Sequence, residues 1–311
     1  MPNFADRLID AIEVKQSRLA VGLDPRIAMI PDELRRPALD RWPDRARAGA
    51  EMLLAFNRAI IDIAAPRVPA VKVQAAFYEL FGPHGYEAFE ATCSAARDAG
   101  LVVIADVKRS DIGSTAAAYA AAHLGRTEIE GELAHTGEAD AVTIVPFFGS
   151  EGVRPFLDVA AEAGRGIFVM VRSSNPSAYE IQGRAEDADP LYLRAADLVN
   201  EWGASSIGER GYSAVGAVVG ATFAEDIPAL RRRMQRTLLL LPGFGAQGAE
   251  ASDVAAAFDG NGHGGLVPAS RSVIHAHKDP ANPRWKADIE RAIHDLNEKL
   301  DAALPPLGQG D

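Results

Sequence analysis

Eight short apolar runs, spread along the whole chain and separated by helix-length segments, constrain the fold more than any other feature. They occupy residues 18–25, 70–74, 101–105, 141–146, 166–172, 215–222, 237–242 and 264–270. Each is short for a helix and lacks strict alternation, so each reads as a strand covered on both faces. The segments between them repeat apolar residues at helical spacing, as in Phe4, Leu8, Ile9 and Ile12, or Ile289, Ile293, Leu296 and Leu300. The spacing predicts helices near 48–64, 85–99, 115–124, 128–135, 225–234 and 283–303, and a polar loop over 177–190. No Asn-Gly-type turn joins neighbouring strands, and alternating strand and helix predicts a parallel sheet. Eight β/α units in 311 residues fit a (β/α)8 barrel of the α/β class. The expectation is a single domain over 1–311 with insertions and a frayed tail at 304–311. A doubly wound sheet is the alternative. The polar residues favour the barrel: Asp24, Lys72, Asp106, Lys108, Ser174, Gln247 and Arg271 all fall at or beyond strand C-terminal ends, which in a barrel converge on one mouth.

The densest chemistry lies in residues 101–119, LVVIADVKRSDIGSTAAAY. Residues two apart on a strand share a face, so Asp106 and Lys108 point the same way, with Asp111 in the turn beyond. Ionised groups at the end of a buried strand are costly unless they neutralise one another. Lys72, inside an apolar strand, makes the same demand. A strand-end salt bridge would satisfy DxK alone; the longer pattern DxKRxDIxxT on a strand-to-helix turn points to a site. After strand seven the chain is Gly-rich and carries Gln247, and strand eight ends at Ser270-Arg271. Barrel loops seven and eight commonly bind phosphate, and an arginine adds a bidentate contact.

Composition narrows the partners. Lys plus Arg number 32 and Asp plus Glu 43, a net charge of −11, which argues against nucleic acid but not against a small phosphorylated ligand. The single cysteine, Cys93, sits in a helical pattern and reads as a small core residue. No signal segment or long apolar run is evident, so the expectation is a cytoplasmic protein without membrane contact. His275 and His277 read as surface residues. No P-loop or HExxH motif implies a cofactor, so none is expected, nor a metal. Alternating charges in a dry pocket suit a metal-free decarboxylation. At about 4 Å, a carboxylate facing another is destabilised by roughly 4 kcal/mol at an effective dielectric of 20. Loss of neutral CO2 relieves that repulsion, and a lysine can stabilise and protonate the carbanion.

The segment 105–112, ADVKRSDI, with Thr115 resembles the signature of orotidine 5′-phosphate decarboxylases. The resemblance extends to GLDP at 22–25, VKVQ at 71–74, RSSNP at 172–176, PGFG at 242–245 with Gln247, and Ser270-Arg271. The wording VRSSNPS and PGFGAQG is similar to the longer bacterial subgroup. The resemblance implies conversion of orotidine 5′-phosphate to UMP in de novo pyrimidine synthesis, by a homodimer with shared sites. It implies that Lys108 protonates C6, Asp106 presses on the substrate carboxylate, and Asp24 and Lys72 hold the ribose. Asp111 and Thr115 would enter the neighbouring subunit's site. Ser174 (or its neighbour Ser173) would read the pyrimidine, and Gln247 and Arg271 would grip the phosphate beneath a closing loop. Pro268, within strand eight, removes a backbone donor near that phosphate. Two other readings stand beside this one. Metal-dependent sugar-phosphate decarboxylases and aldolase-type synthases of the same barrel type share the DxK but need extra carboxylates, where this chain has Lys72-Val-Gln74. A non-catalytic, nucleotide-binding barrel would not need Lys108.

Overall fold

All eight apolar runs form strands, and the strands close on themselves. The computed structural model describes residues 2–183, 189–245 and 247–308. In chain order the elements are α1 (Phe4–Lys15), β1 (Leu19–Leu23), α2 (Asp32–Arg41), α3 (Arg45–Ala64), β2 (Ala70–Gln74), α4 (Ala76–Glu79), α5 (Gly82–Asp98), β3 (Val102–Arg109), α6 (Gly113–Leu124), β4 (Arg126–Ile129), β5 (Glu132–Thr136), β6 (Ala141–Ile144), α7 (Gly149–Ala163), β7 (Gly166–Arg172), α8 (Ala178–Gln182), α9 (Leu191–Gly203), β8 (Ser213–Val219), α10 (Ile227–Arg233), β9 (Thr237–Leu240), β10 (Gly265–Ala269), α11 (Arg271–Ile274) and α12 (Trp285–Ala303). The barrel order is β1-β2-β3-β6-β7-β8-β9-β10, all parallel, with β10 returning to β1. That closing pair leaves no open edge and rules out the doubly wound sheet.

Alternate residues of each strand divide two cores. One set, including Ala20, Ala70, Ile104, Phe168, Leu240 and Leu266, fills the barrel; the other packs outward on the helices. Helix α1 joins the inner set. Its Phe4, Leu8, Ile9 and Ile12 are buried among the barrel-filling side chains, and the Phe4 and Phe168 rings meet edge to face at 5.9 Å. The helix therefore stoppers the N-terminal end of the barrel.

Several expectations need correction. Residues 128–135 are not helical. They form the antiparallel hairpin β4–β5, turned at Glu130 (φ 53°) and Gly131 (φ 84°). Two consecutive left-handed residues make the turn whose twist matches a hairpin, and the four-residue spacing of Ile129 and Leu133 imitates a helix. The loop expected over 177–190 contains α8; its residues 184–188 lie outside the described residues. His275 and His277 are not surface groups. His277 is buried, its Nε2 lies 2.8 Å from the Met29 carbonyl, and both rings pack on Phe56. At the start of the tail Leu304 is buried and the Arg18 guanidinium donates to the Pro305 carbonyl; residues 309–311 lie outside the described residues. Pro268 lacks a backbone donor, as expected, and the ladder stops short of it on one side. The Val267 N–H is given to the Arg18 carbonyl just before β1, so Pro268 faces the β9 side, where pairing ends at Leu266–Leu240. Cys93 is buried, and burial pushes its thiol far above the usual range.

Candidate active site

Strands β2 and β3 run in register with Gln74 opposite Asp106. Lys72 and Gln74 share the inward face of β2, and Asp106 and Lys108 that of β3. The register carries these side chains to the same end of the barrel. Asp106, 5% exposed, receives four donors. Its Oδ2 accepts from Lys72 Nζ at 2.6 Å and Gln74 Nε2 at 2.9 Å. Its Oδ1 accepts from Lys108 Nζ at 2.5 Å and Thr143 Oγ1 at 2.9 Å. A carboxylate has about four lone-pair positions, so this one is saturated. Burial alone would raise the Asp106 pKa, but Lys72 and Lys108 outweigh it and hold the group well below the usual carboxylate range. Burial likewise works against charge on Lys72, yet Asp106 and Asp24, the latter 3.8 Å away, hold its pKa above the ordinary value. Asp24, Lys72, Asp106 and Lys108 thus form a row of alternating fixed charges.

This row is one wall of a cavity of about 300 Å³. The opposite wall is apolar and comes from β7–β10 and the turn after β9: Met170, Val218, Leu240, Pro242 and Phe244. A charged wall facing an apolar one suits a flat heteroaromatic ring with an ionic substituent. Ser174, Gln247 and Arg271 complete the rim. Gly22 makes the β1 side possible, since a Cβ there would lie 1.8 Å from Ser270 Oγ. The loop carrying Gln247 turns through Gly243 (φ 117°) and Gly245 (φ 71°), conformations that favour glycine. Ser173 is engaged by Gln182, whose side chain accepts from its N–H at 3.0 Å and donates to its hydroxyl at 2.8 Å. Ser174 lines the cavity with its carbonyl held by the Thr222 hydroxyl at 2.9 Å.

Seven of the nine residues expected in the site therefore meet in one cavity: Asp24, Lys72, Asp106, Lys108, Ser174, Gln247 and Arg271. Asp111 and Thr115 do not line it. They sit beside and within the start of α6, Thr115 exposed and the Asp111 carboxylate accepting from the Ile112 N–H at 2.8 Å. Sequence reasoning missed Thr143 and the role of Gln74. Each had a faint signal: Thr143 is a lone hydroxyl inside an apolar strand, and Gln74 lies two residues beyond Lys72 on the same face.

The fold and site define the class: a (β/α)8-barrel enzyme with its chemistry at the C-terminal mouth. Residues 17–283 match the family model described as orotidine 5′-phosphate decarboxylase / HUMPS family. Orotidine 5′-phosphate decarboxylase of Rhodopirellula baltica is 41% identical over 308 residues, covering 96% of this chain and 99% of that protein. The Deinococcus radiodurans protein of the same name is 40% identical over 305 residues, covering 97% and 98%. Among solved structures, Leishmania donovani OMP decarboxylase is similar with a TM-score of 0.74 at 27% identity, covering 97% of this chain and 98% of that one. The chain belongs to the orotidine 5′-phosphate decarboxylase / HUMPS family. Among its described residues no helix is long and apolar enough to cross a membrane.

Proposed function

We propose that this chain decarboxylates orotidine 5′-phosphate to UMP and CO2, a carboxy-lyase step of pyrimidine nucleotide synthesis. The observation that carries the reading is Asp106, buried and held charged between Lys72 and Lys108 at the cavity wall. With the pyrimidine against the apolar wall, its carboxylate faces Asp106. The C6–carboxylate bond breaks, CO2 leaves neutral, and the electron pair stays on C6. The Lys108 ammonium stabilises that pair and delivers a proton to C6; the neutral amine then regains a proton from water. Asp24 and Lys72 hold the ribose hydroxyls, Ser174 reads the pyrimidine edge, and Gln247 and Arg271 bind the phosphate.

Asp111 and Thr115 serve the site of a second copy in a homodimer, a role supported by their absence from this chain's own cavity lining and by the exposure of Thr115. Cytoplasmic residence belongs to the same reading and rests on an acidic sequence with one cysteine. The curated relatives carry the decarboxylase name, which favours this substrate over a sugar phosphate. The test is the pyrimidine absorbance change when purified protein meets orotidine 5′-phosphate in EDTA. Turnover is expected; activity that EDTA abolishes would favour the metal-dependent alternative.

A further inference from the structure

We infer that Thr143 is a positioning residue of this site: its hydroxyl fixes the Asp106 carboxylate and the Lys108 backbone together. The inference rests on the decarboxylase reading and deepens it.

Three observations converge on this side chain. Pairing between β3 and β6 breaks over Asp106–Lys108: Ala105 is opposite Val142, but Arg109 is opposite Ile144, so four steps on β3 match two on β6. Such bulges re-aim side chains and leave backbone groups unpaired. Thr143 lies opposite the break, 1% exposed, and its Oγ1 accepts the Lys108 N–H at 3.0 Å. The same oxygen's proton goes to Asp106 Oδ1 at 2.9 Å. The direction is fixed, since the peptide N–H can only donate and a carboxylate between two ammonium groups has no proton to give. Lys108 has φ 45°, a left-handed conformation that a non-glycine residue holds only when its surroundings enforce it. Thr143 supplies that enforcement from the side chain where the ladder supplies none. A valine of the same shape would orphan the Lys108 N–H, leave one Asp106 position unfilled, and loosen the ammonium that delivers the proton. Thr143 itself makes none of the contacts proposed for ribose, pyrimidine edge and phosphate, and Lys72 keeps its own bond to the other Asp106 oxygen.

Steady-state turnover of orotidine 5′-phosphate, UMP affinity by calorimetry and thermal melting should be compared for the wild-type protein, Thr143→Val and Thr143→Ser. The expected result is a kcat lower by about 10- to 100-fold for Thr143→Val, with KM and UMP affinity within about threefold and most of kcat recovered in Thr143→Ser. If Thr143→Val fails to fold, Thr143→Ser against Thr143→Ala asks the same question, because those two differ by the hydroxyl oxygen alone. An unimpaired kcat in Thr143→Val, or in the alanine variant where that one stands in, overturns the inference. So does a serine variant as slow as its hydroxyl-less counterpart, or UMP affinity falling in step with kcat. These outcomes leave the decarboxylase reading standing; a wild-type protein without turnover removes both.

Discussion

Asp106 is the residue on which the others depend. Its carboxylate takes two ammonium groups, an amide and a hydroxyl, which explains how an ion stays charged while nearly excluded from water. Removing one partner of such a group leaves uncompensated charge in a dry site. Asp106→Asn is therefore expected to lower stability by about 3–5 kcal/mol, read from urea unfolding; an unchanged midpoint would mean that Lys72 escapes to solvent. Lys108 is different, because its side chain is 44% exposed to the cavity. Lys108→Ala should fold normally, bind UMP and lose turnover. Retained turnover would refute its role as proton donor. DxK and the isolated Lys72 made these residues legible in the sequence, since only a mutual arrangement accounts for charges on buried strands. Thr143 and Gln74 left only a faint trace in the sequence, because a neutral polar residue near a strand end has many ordinary uses and only the register reveals its partner.

The strands show where sequence periodicity works and where it fails. Apolar runs bounded by Gly, Pro and charge located all eight barrel strands, and β2 and β7 occupy the expected residues. The hairpin β4–β5 was hidden because Ile129 and Leu133 stand four apart and because Glu130, not Asn, enters the left-handed turn. The histidines after α11 were misjudged for a related reason. An aromatic cluster of Phe56, His277 and Trp285 draws its members from α3, the turn after α11 and α12, and no local pattern announces it. Close contact between strands leaves its own test. At Gly22 an added Cβ would also lie 2.8 Å from Ser270 Cβ, so rotating the hydroxyl away does not relieve the clash. Gly22→Ala should cost about 1–3 kcal/mol, and Ser270→Gly should restore part of the loss in the double variant. Independent, additive losses would contradict direct contact.

At the scale of the whole molecule, a buried histidine, His123, and a half-buried one, His275, are expected to set a pH response. Burial, aided by Arg109, lowers His123 to about 4, and burial, aided by His277, lowers His275 to about 4, against an ordinary value of 6.5. Between those values the unfolded chain binds protons that the folded chain refuses, so stability is full above about pH 6.5 and falls as pH drops toward about 4. Urea midpoints measured across that interval should decline with acidification, and His275→Phe should flatten part of the slope; a flat wild-type profile would show both rings accepting protons in place. The proposed dimer has its own whole-molecule test. Inactive Asp111→Ala and Lys108→Ala proteins, mixed under conditions of subunit exchange, should regain activity through hybrids holding one intact site. No recovery would contradict shared sites. A last consequence follows from α1, whose Phe4, Leu8, Ile9 and Ile12 seal the far end of the barrel. With that end corked among the described residues, nucleotide and gas are expected to pass through the mouth at the strand C-terminal ends, on the side opposite the plug.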